Sequence, residues 1–159
     1  MNGVALEYKD GMWTFDPEAL RKQLKNPKVK VFLFNNPQNP TGKVFSVEEM
    51  KTISSILDEC PHVLTFSDEV YEMVTFDGRE HTVFATIGNN WERTISVFSG
   101  GKLLNASGWK IGWAIGPQKL IYIAGVISNT MFYAINTPGQ VAFANAIHKV
   151  YNEGYNDKG

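Results

Sequence analysis

Residues 99–113 read SGGKLLNASGWKIGW, and two lysines, Lys102 and Lys110, stand in a stretch that is otherwise small, apolar or neutral. The ordinary fate of a loop lysine is solvent. A lysine amine partly withdrawn from water has another use: it attacks an aldehyde and forms a Schiff base. Ser99 and Lys110 would then offer a hydroxyl and a positive charge to a phosphate on the same ligand. The segment is not a nucleotide phosphate loop. Ser96 stands where the first glycine belongs, and Leu103 replaces the required Ser or Thr.

Two further stretches carry candidate groups. TFSDEVYE places Asp68 at the end of an apolar run, with Tyr71 close behind. A carboxylate there is costly unless something compensates it. Its ordinary structural reading is a helix cap, with Ser67 or Asp68 ahead of Glu69. Tyr71 alone reads as core packing with a wet hydroxyl. NNPQNPTGK holds Asn39 between Pro37 and Pro40. Turn chemistry accounts for Asn35 and Asn36, and less well for Asn39. An amine, an acid, a phenol, an amide and a phosphate clamp together form the set that pyridoxal 5'-phosphate requires. Its aldehyde needs a lysine, its ring nitrogen a carboxylate and its phenolic oxygen hydrogen-bond donors.

The elements that must position these groups are legible. Residues 1–14, with Gly3, Gly11 and a KDG turn, read as loop with at most a short strand. Asp16-Pro17 starts a helix with Leu20 and Leu24 on one face, and Asn26-Pro27 ends it. VKVFLF (29–34) predicts a strand covered on both faces. Ser46 and Glu49 form a capping box that opens a helix through about Cys60, striped by Met50, Ile53, Ile56 and Leu57. Strands are expected at 62–68, 94–99 and 109–116, and helices at 118–130 and 137–152. Strands alternating with helices predict an α/β fold on a largely parallel sheet flanked by helices in three layers. Ligands bind such sheets beyond the carboxyl ends of the strands. The segments carrying Asn39, Asp68 and Lys102 each follow a strand, so three strand ends can meet at one pocket.

The totals narrow the classes. A chain of 159 residues, 43% apolar, can bury a sizeable single-domain core. A net charge of −1 gives no electrostatic case for nucleic acid or an anionic membrane. No apolar run is long enough to span a bilayer, and the start lacks a signal-peptide core. One cysteine, Cys60, excludes an internal disulfide framework. His62, His81 and His148 show no metal spacing and read as surface or core positions, so no metal is expected. Trp109, Trp113, Phe132 and Tyr133 read as packing, with an approach to the cofactor or a dimer partner as the alternative for Tyr133, and residues 151–159 read as a frayed end.

Taken together and in order, NNPQNPTGKV, FSDEVYE and SGGKLLNASGWKIGW resemble the class I/II, fold-type-I pyridoxal-phosphate aminotransferases. The likeness is strongest to the kynurenine aminotransferase, glutamine transaminase and cysteine-conjugate β-lyase branch. It runs from about Trp13 onward. The resemblance implies that Lys102 bonds the cofactor and carries the proton in catalysis, and that Asp68 partners the ring nitrogen. It implies that Tyr71 and Asn39 serve the phenolic oxygen, and Ser99 and Lys110 the phosphate. Many relatives have Arg at the last position; Lys is a point charge rather than a fork. Leu103-Leu104-Asn105 also departs from the usual Thr and aromatic after the lysine.

The resemblance implies a part of the large, cofactor-binding domain over 1–159, without the family's upstream segment and C-terminal small domain. Amino acid and 2-oxo acid substrates, a homodimer, and a cytoplasmic location with the mitochondrion as alternative follow as expectations. So does weak cofactor binding with little transamination from this chain alone. A β-lyase using the same lysine, and a non-catalytic interaction protein that keeps the large-domain core, are the competing expectations.

Overall fold

The computed structural model describes residues 3–153. A small hairpin opens it, β1 (Leu6–Lys9) paired antiparallel with β2 (Met12–Phe15). This corrects the expected loop. The two turn residues, Asp10 and Gly11, both take positive φ, which matches the twist of a two-residue hairpin. Tyr8 and Trp13 face each other across it with ring centroids 5.2 Å apart.

Helix α1 (Pro17–Leu24) starts as its sequence dictates: the Asp16 carboxylate accepts from Glu18 N at 2.8 Å, and Pro17 takes the first turn. Helix α2 (Val47–Asp58) has both arms of its capping box, Glu49 N to Ser46 Oγ at 3.1 Å and Ser46 N to Glu49 Oε2 at 2.9 Å. Strands β3 (Val31–Asn35), β4 (Leu64–Asp68), β5 (Thr94–Ser99) and β6 (Gly112–Ile115) form one sheet in that order. β3, β4 and β5 run parallel, and β6 closes the edge antiparallel. The sheet is therefore largely parallel and flanked by helices, as expected. A four-residue helix, α3 (Gly100–Leu103), follows β5 directly. Two longer helices, α4 (Gln118–Phe132) and α5 (Thr137–Glu153), complete the described chain. The expected strand at 109–116 is shorter at its start, because residues 107–109 form a 3-10 turn. The frayed end expected at 151–159 lies outside the described residues from 154 onward, and 151–153 continue α5.

The core lies on one face of the sheet. Phe34, Met50, Ile53, Ile56, Leu57, Cys60, Val63 and Phe84 pack there, with Leu20 and Leu24 of α1. The expectation that β3 is covered on both faces does not hold among the described residues. Phe34 is 3% exposed, but Val31 and Leu33 are 55% and 60% exposed. β4 repeats the pattern, with Thr65 and Ser67 buried and Leu64 and Phe66 exposed. Strand alternation sends every second side chain to the open face. Trp113 packs as expected, stacked on Phe98 with centroids 5.5 Å apart. Trp109, Phe132 and Tyr133 do not: all three are exposed, and α4 has no buried residue.

Cys60 caps the far end of the core, fully buried, and burial pushes its thiol up from the ordinary value. The thiolate is the reactive form. Alkylation of native Cys60 at neutral pH is therefore expected at least ~100-fold slower than in denaturant, since reagent must wait for local opening. Equal rates, read by intact mass, would refute this placement.

Candidate cofactor site

The sheet end is stitched by short polar contacts. Asn35 and Asp68 are register partners at the ends of β3 and β4. Asn35 Nδ2 donates to the Asp68 carbonyl at 2.9 Å, and Asn35 Oδ1 accepts from Asn39 N at 2.8 Å. Asn36, fully buried, accepts from Phe45 N at 3.0 Å. The Gln38 side chain donates to the Asn39 carbonyl at 2.7 Å and accepts from Thr41 N at 3.1 Å. Gly42, at φ 72°, lets the chain fold back so that its N–H meets the Gln38 carbonyl at 2.8 Å. Lys43 anchors the far side, its amine 2.6 Å from both the Trp13 carbonyl and Glu49 Oε1. The turn around Asn39 is thus fixed from both flanks.

A cavity of about 600 Å³ opens here, and its polar lining includes Asn39, Asp68, Tyr71 and Lys102. Asn39 Nδ2 donates to Tyr71 OH at 3.2 Å. The Lys102 amine stands 5.9 Å from the centroid of the Tyr71 ring. Asp68 Oδ1 accepts from Val70 N at 3.3 Å. The helix that its capping reading required does not form; a turn follows instead. An adjoining recess of about 320 Å³ is lined by Ser99, Gly101, Lys102 and Lys110. Lys102 lines both spaces. Ser99 Oγ accepts from Lys102 N at 3.2 Å, capping α3 and leaving the hydroxyl proton free to donate. Lys110 holds the left-handed conformation at φ 57°, which costs a non-glycine residue about 1 kcal/mol or more. Lys102 and Lys110 are both exposed, so the withdrawal from water expected for the first amine is not seen.

Sequence reasoning missed Glu69, which is fully buried beside Asp68 and bonded to His81. The available signal was the period of two that puts 65, 67 and 69 on one face. His81 is nearly buried, in line with a core position, and His62 and His148 are exposed. Among the described residues no cluster of three or more His, Cys, Asp or Glu is arranged to hold a metal. Tyr151 of α5 donates to Glu72 Oε1 at 2.8 Å, tying that helix to the segment after Tyr71. Burial raises the Glu72 carboxyl above its ordinary value.

The family described as aminotransferase class I and II matches residues 4–154. A kynurenine–oxoglutarate transaminase from Dictyostelium discoideum is 43% identical over 141 residues, taking in 86% of this chain and 32% of that protein. The N-succinyldiaminopimelate aminotransferase of Mycobacterium tuberculosis has the same fold, with a TM-score of 0.87 at 34% identity, over 94% of this chain and 38% of that one. The pyridoxal-phosphate-bound C-S lyase of Staphylococcus hominis gives a TM-score of 0.78 at 28% identity, over 95% of this chain and 37% of that one. The chain spans about a third of the length of the curated relatives it matches. No helix among the described residues is long and apolar enough to cross a membrane. Matched from Val4 to the end of α5 by one family and sharing that family's sheet, the chain belongs to the class I and II aminotransferases.

Proposed function

We propose that this chain is the cofactor-binding part of a pyridoxal-phosphate-dependent aminotransferase that moves an amino group from an amino acid to a 2-oxo acid. One observation carries the reading. Lys102 lies where two recesses join, with an acid, a phenol and an amide on one side and a hydroxyl and a second lysine on the other. This donor set fits a phosphorylated pyridine aldehyde group by group. The bound cofactor supplies an aldehyde that bonds amines and a pyridine ring that withdraws electrons.

The chain's own residues do the rest. Lys102 Nζ would hold the cofactor and, once the substrate amine has displaced it, would be free to take the proton from the substrate Cα. Asp68 keeps a proton at the ring nitrogen by charge. Asn39 and Tyr71, already in contact, donate to the phenolic oxygen. Ser99 and Lys110 bind the phosphate, one by its hydroxyl and one by its charge. The likeness to kynurenine–oxoglutarate transaminases favours that branch for the amino donor. The likeness to a C-S lyase supports a second reading on the same residues, β-elimination from a cysteine conjugate. Product analysis separates them: a keto acid with the substrate's full side chain means transfer, and pyruvate with a free thiol means elimination. In this reading the whole protein works as a homodimer in the cytoplasm, the mitochondrion being the alternative.

The test is to mix the chain with pyridoxal phosphate, reduce with borohydride, digest, and map the modified peptide by mass spectrometry. Label concentrated on the peptide holding Lys102 is the expected result. Label spread over exposed lysines such as Lys9, Lys25 and Lys119 would refute the reading.

A further inference from the structure

The sheet end holds a second acid that the proposed chemistry does not use. Glu69 follows Asp68 directly and is fully buried. Alternation sets the two back to back. Thr65, Ser67 and Glu69 lie on the buried side of the sheet, whereas Asp68 shares the other side with Leu64 and Phe66. A buried carboxyl is costly without partners, and Glu69 has three. Its Oε1 accepts from Ser67 Oγ at 2.7 Å and from Phe84 N at 3.1 Å. Its Oε2 lies 2.6 Å from His81 Nε2. Its own N–H donates to the Val97 carbonyl of β5 at 2.9 Å. Ser67 belongs to β4, while His81 and Phe84 belong to the long connection between β4 and β5.

One residue therefore joins the end of β4, the middle of β5 and the returning connection. Stability alone does not call for an acid here, because apolar residues of similar volume often serve a core as well or better. A three-way hydrogen-bonded carboxyl adds direction: it admits one arrangement of the chain that leaves the strand. That chain is the turn from Asp68 to Tyr71. We propose that Glu69, with His81, is a positioning residue that fixes this turn from behind and so aims Asp68 and Tyr71 into the cavity. Its meaning for catalysis rests on the cofactor reading above, but its geometry is open to test without cofactor.

The reporter is the side-chain amide of Asn39, which donates to Tyr71 OH at 3.2 Å. In the 15N-labelled, cofactor-free chain, Tyr71→Phe removes the acceptor and so marks where the amide resonance falls without that hydrogen bond. Glu69→Ala should move the resonance most of the way to that mark. Glu69→Gln keeps an acceptor for Ser67 and Phe84 and should leave it near the wild-type position. In the cofactor-loaded chain, the absorbance titration of Glu69→Ala should shift by about one pH unit, as the groups around the cofactor lose alignment. A folded Glu69→Ala protein with the wild-type Asn39 resonance overturns the proposal. If Glu69→Ala does not fold, His81→Ala decides, since it removes a single partner of the carboxyl. A shift in the same direction supports the proposal, and an unmoved resonance overturns it. Failure of the cofactor reading shows separately, as absence of label on Lys102 in the wild-type chain.

Discussion

Lys102→Ala should abolish the site-specific fixation of pyridoxal phosphate, lowering borohydride-stable label in the cavity peptides by at least ~50-fold, to the level of scattered surface lysines. Among the described residues Lys102 is the only lysine that lines the cavity of about 600 Å³. No other lysine of the described residues lines the cavity where an aldehyde held by Asn39, Asp68 and Tyr71 would present itself. Lys102→Arg should fail equally, because guanidinium keeps the charge but does not give up a proton to become a nucleophile. Lys110→Ala should behave differently. It removes one charge-assisted contact, worth about 1.5–3 kcal/mol, so half-saturation should rise roughly 10- to 100-fold while label still reaches Lys102 at saturation. Both lysines are exposed, so both variants should unfold within about 0.5 kcal/mol of wild type. A Lys102→Ala chain that still takes one cofactor in the cavity would remove the lysine from its assigned role. A Lys110→Ala chain with wild-type affinity would remove the phosphate clamp and leave Lys102 standing.

The elements that carry these residues were legible because each has a local cause. The capping box at Ser46 and Glu49 and the Asp16-Pro17 start are short-range patterns, and both helices begin where the patterns put them. β5 occupies the whole of TISVFS. The hairpin was missed because its strands are only four residues long and too brief for periodicity to speak. The open face of β3 was misread for a different reason. Dense apolar sequence says that a face is suited to burial, and it does not say which chain buries it. The exposed apolar side chains of α4 repeat that lesson. At the site, the convergence of Asn35 and Asp68 followed from parallel register, and the stretches flanking Lys102 from the turn after β5. Glu69 carried only the period of two as a signal, and an acid just after a strand looks like a surface residue until the connection around His81 folds over it. The left-handed backbone at Lys110 had no signal, since glycine or asparagine is what usually marks that conformation.

Alanine at Gly100 and at Gly101 should each cost about 1–3 kcal/mol, lowering the melting midpoint by several degrees, and the two should differ in how they can be rescued. A Cβ at Gly100 would lie 2.6 Å from Phe143 Cε2 and 2.7 Å from Cδ2. Moving the ring disturbs the stack it belongs to, because Trp113 packs against both Phe143 and Phe98, with centroids 5.2 Å and 5.5 Å away. Yet the obstacle is one side chain, and Phe143→Ala removes it. Gly100→Ala in that background should cost well under its value in the wild-type chain, and the coupling is the measurement. At Gly101 the obstacle is backbone. The Cβ would meet Ser107 Cα at 2.8 Å and the Ala106 carbonyl at 3.3 Å. That backbone is already tied to Gly101, whose carbonyl accepts from Ala106 N at 2.8 Å. Any relief must push away the turn that ends in Lys110, so Gly101→Ala should weaken cofactor retention as well as stability, and Phe143→Ala should restore neither. Equal rescue of both variants would mean that the ring, rather than the turn at 106–110, sets the position of Lys102. Rescue of neither would mean that α3 tolerates no Cβ at either glycine, and that both serve the helix before they serve the site.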